Sequence, residues 1–285
     1  AGVGFRRERR LDSGTKSRPS PLKGEGRYSV QVGRTMQRYP LHKAADGRWV
    51  HTWVRQSSIK TSDMCLERWR NDVFNLVSEP MKDASTLGTV CHTVAEDVCN
   101  SLIDVNDGHA EAPMDIQSAL DAFDYEWEET VDKIEVWNSY NPTSAHAAGV
   151  IKVTNWYNEV FPLLQPLQTE YTFDVPLLED EQRIVRLTGT VDLVEADRLW
   201  DWKFPGRDYS RERWQYERWD VQSIAYCYAM GIPNFSYAVM HPDGVGRMDL
   251  ERGQEHFDWL RQKVSALCKL LETQTGPYPL GDNGW

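Results

Sequence analysis

An α/β fold follows from three features of the sequence. Apolar residues recur at helical spacing between residue 57 and about 164, the period changes to alternation after Pro166, and helical spacing returns at 219–230 ahead of a last strand and helix. The resulting order is helix, three strands, helix, strand, with no internal repeat.

The first 26 residues mix Gly, Ser, Pro and Arg without periodic apolar positions, so they cannot bury enough surface to order themselves. Residues 1–50 are therefore expected to be a basic, poorly ordered segment, and 51–285 one domain. That domain opens with QSSIKTSDMCLERWRND, where Ser57 or Ser58 can start a turn and Cys65, Trp69 and Phe74 fall at helical spacing. In 86–103, positions 87, 91, 94, 98 and 102 are apolar and define an amphipathic helix. Helical patterns at about 115–138 and 146–164, separated by the breaker Asn141-Pro142, make a helical insertion spanning about 104–166.

Beyond it, Tyr171, Phe173 and Val175 alternate with Glu170, Thr172 and Asp174, as a half-buried strand requires. The segments 184–195 and RLWDWKF flank a turn at Ala196-Asp197 and form a hairpin. A helix at 219–230, a short strand FSYAVM at 235–240 and a helix over about 252–273 complete the chain.

Composition bounds the function. The net charge is -11, yet residues 1–60 hold 14 Lys/Arg against 4 Asp/Glu while residues 61–285 hold 18 against 39. An acidic folded part suits a site that gathers carboxylates for divalent cations, provided a local basic surface guides an anionic partner. No stretch approaches the roughly 18 uninterrupted apolar residues of a spanning helix, so no membrane is expected and the chain reads as cytoplasmic. Cys65, Cys91, Cys99, Cys227 and Cys268 are scattered, with no CxxC pair, and imply neither a disulfide framework nor a self-contained zinc site.

The hairpin carries the chemistry. It sets Asp192 near Asp201 on adjacent strands, and alternation puts Lys203 on the face of Asp201. Two carboxylates and an ammonium suit phosphodiester hydrolysis: acids hold divalent cations that activate water, and the lysine offsets developing charge. Oxygen ligands in a partly hydrated site favour Mg²⁺ or Mn²⁺. An exposed Asp-x-Lys occurs in many ordinary strands, but Leu187, Val191, Leu193, Val194, Leu199 and Phe204 make these two apolar, where unpaired charges are costly. His92 and Glu96 share a helical face beside Gly88, which permits close approach of a backbone or a phosphate.

These residues together resemble the RecB-like and phage exonuclease branch of the PD-(D/E)xK nuclease superfamily, over roughly residues 57–280. The motifs that carry the resemblance are Ser57-Ser58-Ile59 with Cys65, Gly88-Thr89-Val90-Cys91-His92, Gly189-Thr190-Val191-Asp192, Asp201-Trp202-Lys203, and Gln222-Ser223-Ile224-Ala225-Tyr226. The resemblance implies a restriction-endonuclease-like αβββαβ core, a mixed sheet flanked by helices. It implies that His92, Asp192, Asp201 and the Trp202 carbonyl ligate Mg²⁺ or Mn²⁺, that Lys203 positions or activates water, and that Gln222 and Tyr226 support Lys203 or touch nucleic acid. Glu170 is a further candidate carboxylate, its alternative being a solvent-facing strand residue.

The substrate expected is DNA, as linear ends or single strands. The context expected is recombination or repair in a bacterium or phage-infected cell, with a recombination or phage replication protein as a conceivable partner. The segment after Lys203 interleaves Arg207, Arg211, Arg213 and Arg218 with Trp214 and other aromatics, a composition suited to phosphates and stacked bases. Many RecB-type relatives bind an iron–sulfur cluster through one cysteine near the first motif and three near the C-terminus. Cys65 fits the first place, but GPYPLGDNGW resembles only the lead-in to the others, so no cluster is expected. Two other classes compete: a catalytically inactive DNA-binding or assembly subunit, and a hydrolase using paired carboxylates on sugars. Intact Asp192, Asp201 and Lys203 oppose the first. Glycosidic cleavage has no use for Lys203.

Overall fold

The structure is a computed structural model and describes residues 40–76, 79–206, 219–274 and 276–278. Its elements run β1 (Leu41–Lys43), β2 (Trp49–Val54), α1 (Gln56–Met64), α2 (Leu66–Val73), α3 (Asp83–Asn106), α4 (Ile116–Val131), α5 (Pro142–Glu159), β3 (Gln168–Glu179), β4 (Arg183–Val194), β5 (Arg198–Lys203), α6 (Val221–Met230), β6 (Asn234–His241), β7 (Gly244–Glu251) and α7 (Gln254–Thr273). The expected succession of helix, three strands, helix and strand is present as α3, β3, β4, β5, α6 and β6.

Seven strands form one mixed sheet in the order β1-β2-β4-β5-β6-β7, with β3 paired to β4 outside that path. The sheet starts at Leu41, before the expected domain boundary at residue 51, because WVHTWV pairs in parallel with the first half of β4. Strand β7 is a second addition to the expected elements. Its inner half carries Gly244 and Gly246, and its side chains beyond the first are only intermediate or exposed, so no apolar alternation marks it.

Strand β4 decides where the site lies. One edge of it is covered along nearly its whole length by β3. The other edge is shared: β2 pairs with Arg183–Leu187, and β5 pairs only with Leu193 and Val194. Beyond that short ladder β5 leaves β4 and runs parallel to β6 over all six of its residues. A fork therefore opens beside residues 188–192.

Helices cover both faces of the sheet. On one side α1, α2, α6 and α7 pack against Val185, Leu187, Val191, Leu199, Phe235 and Val239. On the other, α3, α4 and α5 enclose Leu193, Trp200, Trp202, Ala238 and Met240. Alternate residues of β5 and β6 thus enter opposite cores, as a sheet buried on two faces demands. Trp156 meets Trp202 edge to face, with ring centroids 5.6 Å apart, an arrangement worth about 1 kcal/mol beyond burial.

The helical insertion is tied to the end of β5 by polar contacts. Buried Asp83, at the start of α3, accepts the backbone N–H groups of Asn138, Ser139 and Tyr140 through Oδ2 at 3.1, 2.7 and 2.7 Å. Burial opposes the charge on this carboxyl, yet the backbone N–H groups together hold its pKa below the usual aspartate value. Buried Lys152 on α5 donates to the Pro205 carbonyl at 2.6 Å. No helix among the described residues is long and apolar enough to cross a membrane.

Candidate active site

The fork between β4 and β5 exposes polar backbone that the ladder no longer satisfies. Asp192 takes over one such group, its Oδ2 accepting the Trp202 N–H at 2.7 Å. The expectation that the hairpin sets Asp192 beside the D-x-K strand thus holds in geometry, through a side chain standing in for a ladder bond.

Asp201 and Lys203 lie on one face of β5, and Lys203 Nζ stands 2.6 Å from Asp201 Oδ2. Gln222, on the first turn of α6, fixes this pair: its Oε1 accepts from Lys203 Nζ at 3.0 Å and its Nε2 donates to Asp201 Oδ1. Asp220 caps α6 by accepting the Ser223 N–H at 2.9 Å, and the Tyr237 hydroxyl donates to it at 2.6 Å. The Lys203 ammonium also lies 5.6 Å from the centre of the Tyr237 ring. Burial works against the charged form of Lys203, yet Asp201 and Asp192 together hold its pKa above the ordinary lysine value.

From the opposite side α3 brings His92, whose Nδ1 lies 3.4 Å from Asp192 Oδ2. Gly88, one turn earlier, lies over the end of β5, where a Cβ would make only an ordinary van der Waals contact with the Phe204 carbonyl at 3.7 Å, so the approach there does not require glycine. Burial lowers the His92 pKa, with Asp201 opposing it and Lys203 reinforcing it, so the neutral imidazole that metals bind is favoured. Asp192 is raised well above the ordinary aspartate value, first by burial and then by the nearby Asp201 charge. Acids so poised seek a counter-charge stronger than one lysine.

Glu170 completes the cluster. It occupies the position of β3 that faces Asp192, where the ladder is interrupted between the Thr169–Leu193 and Tyr171–Val191 pairs. Its φ of 44° is left-handed, uncommon for a non-glycine residue in a strand. Donor atoms of His92, Glu170 and Asp192 all lie within 4.8 Å of one another, a mixed imidazole and carboxylate set able to hold a divalent cation. Asp201 stands outside that trio and is engaged instead by Lys203 through Oδ2 and by Gln222 through Oδ1.

Tyr226, expected to support Lys203 or touch nucleic acid, is buried and packs edge to face on Phe173 at 5.7 Å. Glycine at 189 makes room for it, because a Cβ there would lie 2.6 Å from Phe173 Cζ and 3.2 Å from Tyr226 Cε1. Its hydrogen bond reaches Gln222 rather than the lysine. Arg207, Arg211, Arg213, Trp214 and Arg218 lie outside the described residues. All five cysteines are buried as free thiols.

A cleft of about 350 Å³ opens between α1, α3, β5 and α6, with His92, Trp202, Lys203 and Gln222 in its wall. Asp220, Tyr237 and Lys60 also line it, beyond the residues that sequence reasoning singles out. Asp220 is legible as the capping acid ahead of a helix, and Tyr237 as the inward position of an alternating strand. Nothing in the local pattern marks Lys60.

A model of the PD-(D/E)XK nuclease superfamily matches residues 54–274, which include every motif residue of the cleft. No curated protein matches the chain. Among solved structures, one titled "Crystal structure of SSO0001" is similar over 64% of this chain and 88% of its own, at 8% identity and a TM-score of 0.30.

Proposed function

We propose, from the premise that this chain belongs to the PD-(D/E)XK nuclease superfamily, that its cleft performs metal-dependent hydrolysis of DNA phosphodiester bonds. The observation that carries this reading is the clamp of Lys203 between Asp201 and Gln222, within reach of an acid and imidazole cluster at the β4–β5 fork.

His92, Glu170 and Asp192 would hold Mg²⁺ or Mn²⁺, with Asp201 and the Trp202 carbonyl at the margin of the same site. A divalent ion bound there supplies a polarised phosphate and a water acidic enough to attack it. Lys203 contributes a fixed positive charge where negative charge grows on the phosphoryl oxygens, and Gln222 prevents its Nζ from swinging away. Asp201 keeps that ammonium protonated.

Exonuclease action on linear ends, in bacterial or phage recombination and repair, is the finer reading. Its support is the run of five motifs in the order of the RecB-like and phage exonuclease branch. The test is incubation of linear and circular, single- and double-stranded DNA with Mg²⁺ or Mn²⁺. Linear DNA should be degraded and circular DNA spared, and Lys203→Ala or Asp192→Ala should each lower the rate by at least roughly a hundredfold. Equal degradation by the variants would place the chemistry elsewhere.

A further inference from the structure

Helix α1 forms one wall of the cleft, and the nuclease reading gives its residues no task. Lys60 is exposed on that helix and lines the same cleft as His92 and Lys203. Its neighbour Ile59 is fully buried in the core beneath, which fixes the backbone from which the lysine projects. The Thr61 and Ser62 hydroxyls bond back to the carbonyls of Ser57 and Ile59, which occupies the two polar side chains that follow it.

The two lysines that line the cleft differ in what they can offer a substrate. Lys203 is committed to Asp201 and Gln222, whereas the Lys60 side chain makes no ion pair or hydrogen bond among the described residues. The cleft has Asp220 in its wall and the acids Glu170, Asp192 and Asp201 gathered beside its residues His92 and Lys203, and a phosphate outside the reaction centre is repelled by that charge unless a cation receives it. We infer that Lys60 is a substrate-positioning residue that binds a backbone phosphate next to the one being cut. The inference rests on the proposed nuclease reading. A lysine suits this task, because its compact charge on a flexible stem accepts a phosphate without fixing its orientation or the base attached to it.

The test uses a fluorescent single-stranded DNA oligonucleotide and the full chain, comparing wild type with Lys60→Ala, Lys60→Arg and Asp192→Asn. Binding is followed by anisotropy in EDTA across a series of salt concentrations, and steady-state cleavage in Mg²⁺. Lys60→Ala should weaken binding and raise KM roughly fivefold to tenfold, as removal of one exposed cation from a phosphate should. The slope of log affinity against log salt should flatten by about 0.7, the value for one phosphate of a single strand left without its cation. Lys60→Arg should restore both.

Unchanged Kd, KM and salt slope in Lys60→Ala would overturn the assignment. So would weakened binding with an unchanged slope, or failure of arginine to rescue. If wild type cuts and Asp192→Asn does not, while Lys60→Ala behaves as wild type, the nuclease reading survives and the Lys60 role fails. If wild type binds DNA through Lys60 but never cuts it, the reverse holds. Absence of any DNA binding by wild type overturns both.

Discussion

Gln222 and Lys203 are joined end to end, the amide oxygen accepting from the ammonium at 3.0 Å while the amide nitrogen donates to Asp201. The glutamine therefore has one useful orientation. Replacing it with alanine releases the lysine and leaves Asp201 with one hydrogen bond fewer in a buried site. We expect Gln222→Ala to lower kcat roughly tenfold to a hundredfold with little change in KM. Because the amide acts through the ammonium, Gln222→Ala should cost little when added to Lys203→Ala, and the double variant should be about as slow as the lysine variant alone. Additive losses would show that Gln222 acts independently.

The trio of His92, Glu170 and Asp192 makes metal affinity a direct readout. Glu170 is held in a left-handed conformation that costs on the order of 1 kcal/mol or more, and such a cost is tolerated where a side chain must be aimed. Isothermal titration with Mn²⁺ should show affinity falling at least about tenfold in Glu170→Gln and further in Asp192→Asn, and EDTA should abolish cleavage. Affinity untouched by Glu170→Gln would remove that residue from the site.

How far the site can be read from sequence follows from the reach of each signal. Asp192, Asp201 and Lys203 are visible because the hairpin and strand alternation fix their relative positions. His92 is marked locally only by the helical face it shares with Glu96, and its ligand role, like the part given to Gln222, comes from motif order. The packing of the Tyr226 ring on Phe173 is not legible, because spacing along α6 places Tyr226 on the face of Gln222 but does not say which strand residue its ring meets. Glu170 is only a candidate at that level, since its position opposite Asp192 depends on the register of β3. Strand β2 and helix α1 build their walls from residues over a hundred positions away from β4 and β5. Lys60 therefore carries no sequence mark, and the early strands escape notice.

The packing at Gly189 predicts a separate effect on stability. An added methyl would meet the Phe173 ring at 2.6 Å and the Tyr226 ring at 3.2 Å, and both rings are buried, so neither can swing clear. Gly189→Ala should destabilise the fold by about 1 to 3 kcal/mol in urea melts. Any relief by displacement of Tyr226 would move the helix that carries Gln222, so kcat should fall as well. A variant as stable as wild type would mean that the rings repack freely.

Acid sensitivity should appear at Glu67, which is not among the residues lining the cleft. Its carboxylate pairs with Arg70, with Nη2 at 2.5 Å, and accepts the Tyr278 N–H at 2.9 Å, which anchors that tyrosine where it stacks on Trp69. The Arg70 contact first, then the Tyr278 bond, pull the Glu67 pKa from 4.5 down to about 2. A carboxyl whose folded pKa is depressed stabilises the native state fully above its unfolded pKa, and the contribution fades as pH falls toward the folded value. Wild type should therefore be more stable than Glu67→Gln at pH 7, and their urea midpoints should converge between about pH 4.5 and 2. A constant difference across that window would show that the loss comes from packing, with the Glu67 charge contributing nothing.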